Sequence, residues 1–137
     1  MINTNNNVLP DEELELIGKF ARKKLEKDEI YTFSLILCDN DIDRDNEKFT
    51  VSALHTLAKL FVGKTGIFDH NMKSKDQSAR IYSAEVVTDA SRKTADGEDY
   101  TFIKAKAYMV KSHLFYVFYI ILGDIFFKML HIADGYF

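Results

Sequence analysis

Hydrophobic positions along this chain change their spacing several times, and each change marks a predicted element. Leu14, Ile17, Phe20, Ala21 and Leu25 recur close to the 3.6-residue helical repeat. Pro10 suits a first helical turn, with Asp11, Glu12, Glu13 and Glu15 behind it. Arg22, Lys23, Lys24 and Lys27 crowd the far end, an order of charge that complements a helix dipole. The spacing predicts a docking helix over residues 10–27. Residues 30–38 then read as a strand, β-branched and aromatic, with Tyr31, Phe33, Leu35 and Leu37 on one face. Thr50 is a suitable N-cap for a short helix that turns Leu54, Leu57, Ala58 and Phe61 inward and stops at Gly63.

Three further strands are predicted, at residues 65–70, 79–88 and 99–110. In the last, Ile103, Ala105, Ala107 and Met109 alternate with Phe102, Lys104, Lys106 and Tyr108, so one face is partly wet. Asp89 to Gly97 connects the last two strands and closes on the turn signal Asp96-Gly97. The expected fold is α+β: a mixed or antiparallel sheet, or a partial β-barrel, with an N-terminal helix and one short helix. The Asn-rich residues 1–9 have little to bury and are expected to be disordered. Residues 10–112 form the single domain.

From His113 the composition changes. Charges fall to Asp124, Lys128 and Asp134, and eight of the twenty-five residues to Phe137 are Phe or Tyr. Leu114–Leu122 is an unbroken apolar run, yet nine residues are too few to span a bilayer as a helix. Extending it to Ala133 takes in Gly123, Asp124, Lys128 and His131, and charges at such depth are costly. Three readings of residues 113–137 remain: a core element, a membrane-associated segment, or the out-of-frame product of an A/T-rich gene. The third accounts best for a segment made mostly of Phe, Tyr, Ile, Leu and Lys, one non-native to the fold. With the last strands of a barrel missing, open strand edges beside this segment predict low solubility and homo-oligomers or aggregates.

Composition narrows the function classes. A net charge of −3 provides no basic footprint for nucleic acid. A single cysteine, Cys38, rules out an internal disulfide framework or Cys-rich zinc site and fits a reducing interior. The polar opening Met-Ile-Asn-Thr-Asn-Asn-Asn lacks the pattern of a secretory signal. No cofactor is called for.

Several short motifs carry residues capable of chemistry. Asp39-Asn40-Asp41-Ile42-Asp43 resembles the start of a calcium loop, but the sixth position is Arg44 rather than Gly and the twelfth is Thr50 rather than Glu. Gly63-Lys64-Thr65 lacks the first glycine and the strand-then-helix order of a phosphate loop. Cys38 is a nucleophile only if a base such as His70 is brought to it; a buried strand-end thiol is the commoner arrangement. His70 ends a strand beside the polar run Asn71 to Gln77, a position from which an imidazole can act as general base. Asp43, Glu85 and Asp99 are candidates to orient its ring, whereas Asp69 faces away on a regular strand. No two histidines have metal-ligand spacing on one element.

The order strand, Asp43-Arg44-Asp45 loop with Glu47 beyond it, helix, strand ending Phe68-Asp69-His70, and further strand resembles the prohead maturation proteases of tailed phages. The resemblance covers residues 30–110. It implies a β-barrel flanked by helices, like the herpesvirus assembly proteases, and serine-peptidase cleavage of scaffold and capsid precursors in the host cytoplasm or the assembling virion. It also implies that His70 is the general base. The family's nucleophile, usually in a Ser-x-Gly stretch on a later strand, has no counterpart, because no serine follows Ser112 and Ser112 precedes His113 rather than leading to Gly. Without an activated hydroxyl the acyl-enzyme route is closed. The expectation is a truncated or frame-shifted, inactive prophage relative; the alternative is a non-enzymatic structural or scaffold-associated binding protein.

Overall fold

The computed structural model describes residues 9–67 and 77–111. Its elements are helix α1 (Asp11–Gly18), strand β1 (Ile30–Asp39), helix α2 (Val51–Phe61) and strands β2 (Thr65–Ile67), β3 (Gln77–Lys93) and β4 (Asp99–Val110). The strands form one curled antiparallel sheet in the order β1-β4-β3-β2, so the fold is α+β with a half-barrel sheet.

The N-terminal helix is shorter than its hydrophobic period predicts. It ends at Gly18, where a glycine costs a helix about 1 kcal/mol relative to alanine. Lys19 and Phe20 then donate their N–H groups to Leu16 and Ile17, tightening the last turn. A single 3₁₀ turn, Lys27–Glu29, leads into β1. The apolar residues still reach one place: Ile17, Leu25, Ile30, Tyr82 and Tyr108 are buried together, with Leu14, Phe20, Ala21 and Val110 packed against them. The period therefore forecast what is buried, though not the backbone that buries it.

Helix α2 follows its pattern closely. Thr50 Oγ1 accepts the Ala53 N–H at 3.1 Å, and Gly63, at φ 84°, turns the chain out of the helix. Its N–H is taken by the Ile81 carbonyl at 2.8 Å, and a Cβ there would meet the Phe20 ring at 3.2 Å. Leu54 and Ala58 lie against Leu37, Ile81, Ile103, Ala105 and Ala107, with Phe33, Leu35, Ala84 and Val86 at the margin. Successive residues such as Ala107 and Tyr108 belong to different clusters, so α1 and α2 serve opposite faces of the sheet. A register shift between Ile81 and Ser83 keeps Ile81, Ala84 and Val86 on the α2 side and lets Tyr82 turn to the other.

The face of β4 expected to be partly wet is so. Lys104 is exposed, whereas Lys106 pairs with Glu13 of α1, whose other carboxylate oxygen accepts the Tyr82 hydroxyl at 2.7 Å. Strand β3 runs five residues past its predicted end, because Asp89 to Lys93 pair irregularly with β4 instead of looping out. The hairpin closes through Thr94: its N–H reaches the Glu98 carbonyl and its hydroxyl oxygen accepts the Glu98 N–H at 3.0 Å. Gly97 supplies the positive φ of 86° that the turn requires.

Candidate functional site

At the end of β1 the chain leaves the sheet through an acid-rich loop that is built by its own side chains. Asp39 Oδ1 accepts the Asp41 N–H, and Asp43 Oδ1 accepts those of Asp45 and Glu47 at 2.9 and 3.0 Å. Asp41 Oδ1 accepts from Ile42 and, across to the β3–β4 turn, from Ala95. Carboxylates that face a calcium ion in a binding loop are spent here on backbone donors. Among the described residues no group of three or more His, Cys, Asp or Glu is placed to hold a metal.

The buried anchor of this end is Asn40, which has no exposed surface. Its Oδ1 accepts the Thr101 N–H at 2.8 Å, its Nδ2 donates to the Asp99 carbonyl at 3.0 Å, and its own N–H reaches the Thr101 carbonyl. Asn40 thus carries the β1–β4 pairing across the register shift that follows Ile36. Nearby the Tyr100 hydroxyl donates to Asp39 Oδ2 at 2.8 Å, and Arg92 lies over the Tyr100 ring, 3.7 Å from its centre. Burial, then the bond to Asp39, pushes the Tyr100 hydroxyl up to about 12.

Beside this anchor opens a depression of about 420 Å³, lined in part by Lys48, Thr50, Thr88, Glu98, Asp99 and Thr101. Its charges are compensated. Lys48 is paired with Asp96 and with Glu98 at 3.0 Å, and Asp99 is paired with Lys93. Thr88 and Thr101 share a hydrogen bond of 3.0 Å between their hydroxyls. The walls are formed by threonine hydroxyls, by charges that are already paired, and by Val51 at the start of α2.

Three of the sequence-predicted site residues, Asp43, Glu85 and Asp99, are among the described residues. Asp43 sits exposed in the acidic loop, and Asp99 lines the depression at the same end of the sheet. Glu85 is exposed mid-way along β3, opposite Lys104, on the face that α1 serves. These three acids are not brought together. His70, Ser112 and residues 113–137 lie outside the described residues. Ile67 and Gln77, which flank the segment containing His70, pair at the end of β3 away from Lys93 and Asp99. Cys38 is half-buried, and burial, with Asp39 beside it, raises its thiol to about 11, so it stays protonated near neutrality. His55 is exposed on α2.

Sequence reasoning passed over Asn40, Lys48, Arg92, Tyr100 and Thr101. Their partners are distant in the chain, 61 positions for Tyr100 and Asp39 for example, and no local pattern announces such pairs.

The class defined by these observations is an α+β protein with a half-barrel antiparallel sheet, covered by one helix on each face. Comparison with protein-family models, with characterised proteins and with solved structures gave no match. No helix among the described residues is long and apolar enough to cross a membrane.

Proposed function

We propose that this chain is a prophage-derived relative of the prohead maturation proteases that does not cleave peptides. One combination carries the reading. A curled antiparallel sheet, with α2 set between the Asp43-Arg44-Asp45 loop and the strand leading to His70, is the frame the resemblance implies. The same chain has no serine beyond Ser112 to act as nucleophile. Cys38 does not substitute, since a thiol raised to about 11 is a poor source of thiolate. Loss of the nucleophile typically removes a factor on the order of 10⁶ in rate from a serine protease. By the same resemblance its partners are capsid or scaffold precursors.

The test is incubation of the purified chain with a capsid-precursor peptide, read by mass spectrometry, beside a His70→Ala variant. No cleavage is expected from either. Cleavage that disappears in His70→Ala would overturn the proposal. Reading the gene in all frames from the Lys111 codon is the companion test: a frame that continues into a helix and a strand with Ser-x-Gly identifies a broken protease. If none does, the family assignment loses its main support and a binding role independent of that family takes its place.

A further inference from the structure

Strand β1 has one sheet neighbour, β4, and among the described residues no strand lies along its outer edge. Natural sheets blunt such edges with charge, proline or a bulge. From Ile30 to Cys38 this strand has no charged residue, no proline and no glycine. Its regular pairing runs from Ile30 to Ile36, and the register shifts only after that. Helix α2 packs over β3 and β4, leaving Tyr31, Phe33 and Leu35 half-buried on the rim of the core. Ile36, on the opposite face, is 40% exposed.

We infer that β1 is a homodimer interface, pairing antiparallel with β1 of a second copy about a two-fold axis at Phe33. That axis is set at the midpoint of the stretch that pairs regularly with β4, so that all seven residues Ile30–Ile36 find a counterpart. It sets Phe33 against the partner's Phe33 and Tyr31 against the partner's Leu35, extending the apolar face. It sets Thr32 against the partner's Ser34 and Ile30 against the partner's Ile36 on the other face. No like charges meet within the paired stretch. A self-complementary strand of this kind fits an isologous contact and so closes at two copies. The paired edge is only about 23 Å long at 3.3 Å per residue, well short of a standard interface, so the dimer dissociates on dilution. The inference stands apart from the prophage reading and survives if that reading fails.

The full chain is examined by sedimentation velocity across a dilution series, with hydrogen exchange measured at both ends of it. A monomer–dimer equilibrium is expected, with amides of Ile30–Ile36 exchanging faster in the dilute sample. Ile36→Glu is expected to abolish the dimer. The new carboxylate faces Lys104 within its own chain, so circular dichroism should stay that of the folded protein. As a control, Ile120→Glu disrupts the apolar run Leu114–Leu122 and should leave the dimer intact. Four outcomes overturn the inference: a monomer at every concentration, a dimer that persists in folded Ile36→Glu, a dimer lost in Ile120→Glu but not in Ile36→Glu, and open-ended polymers.

Discussion

Replacing Asn40 tests the argument that one amide side chain locks the start of β4 to the end of β1. Asn40→Ala strips the Thr101 N–H of its partner and leaves the Asp99 carbonyl with the Thr101 hydroxyl, which donates to it at 3.2 Å. A buried polar group left unpaired costs about 1–3 kcal/mol. Thr101 is 2% exposed, so its N–H incurs the upper part of that range. The Asp99 carbonyl keeps the Thr101 hydroxyl and lies at an exposed residue, so it incurs at most the lower part. The sum is about 3 kcal/mol, a large share of the roughly 5–15 kcal/mol that holds a domain folded. The assay is urea unfolding followed by tyrosine fluorescence, as the chain has seven tyrosines and no tryptophan. With a slope of about 1–2 kcal/mol/M the midpoint should fall by about 2 M without a change in slope. Asn40→Asp sharpens the test. Its carboxylate still accepts from Thr101 but opposes the Asp99 carbonyl, and burial raises its folded pKa above the unfolded value of about 3.9. The folded variant then binds protons more tightly than the unfolded chain, so its deficit should shrink as pH falls from neutrality. A midpoint shift below about 0.5 M in Asn40→Ala, or a pH-independent deficit in Asn40→Asp, would refute the reasoning.

Three further outcomes are expected. Leu54→Ala removes a side chain with no exposed surface from the contact between α2 and the sheet, and should cost about 3–4 kcal/mol in the same unfolding assay. Burial alone would raise the Glu13 carboxyl, but bonds from Lys106 and Tyr82 outweigh it and hold the group below its ordinary 4.5. Its contribution to stability is therefore complete above that value and lost as pH falls through the lower folded pKa, and Glu13→Gln should flatten the acid limb of a midpoint-against-pH curve. Cys38, with its thiol near 11, should react with a thiol reagent more slowly at pH 8 than a free cysteine does, and equally fast once the chain is unfolded.

Much of the fold is written in short-range pattern. The strand spacing of residues 30–38, the cap at Thr50, the stop at Gly63 and the turn at Asp96-Gly97 all depend on neighbours within a few positions, and all stand where expected. Helix α1 departs because a 3.6-residue period reports which side chains are buried; Gly18 ends the helix, yet Leu25 still reaches the same cluster from irregular chain. The end of β3 was missed for a related reason. Asp89-Ala90-Ser91-Arg92 shows no alternation, and only the β4 strand across from it makes that stretch extended. The candidate site was less legible still. Asp43 accepts two N–H groups of its own loop, while Asn40, which organises that end of the sheet, sits in an acidic run that reads as solvated surface.

The strand order has a consequence during synthesis. Strand β1 leaves the ribosome well ahead of its sheet neighbour β4, which begins only at Asp99, about sixty residues later. At about 5–20 residues per second, a finished β1 waits several seconds with both edges bare. The intervening β3 cannot shelter it, since β3 itself pairs with β4 and not with β1. Among the described strands the sheet therefore assembles around β4, and until β4 emerges the uncharged, aromatic stretch Ile30–Cys38 depends on chaperones or on dilution to stay single.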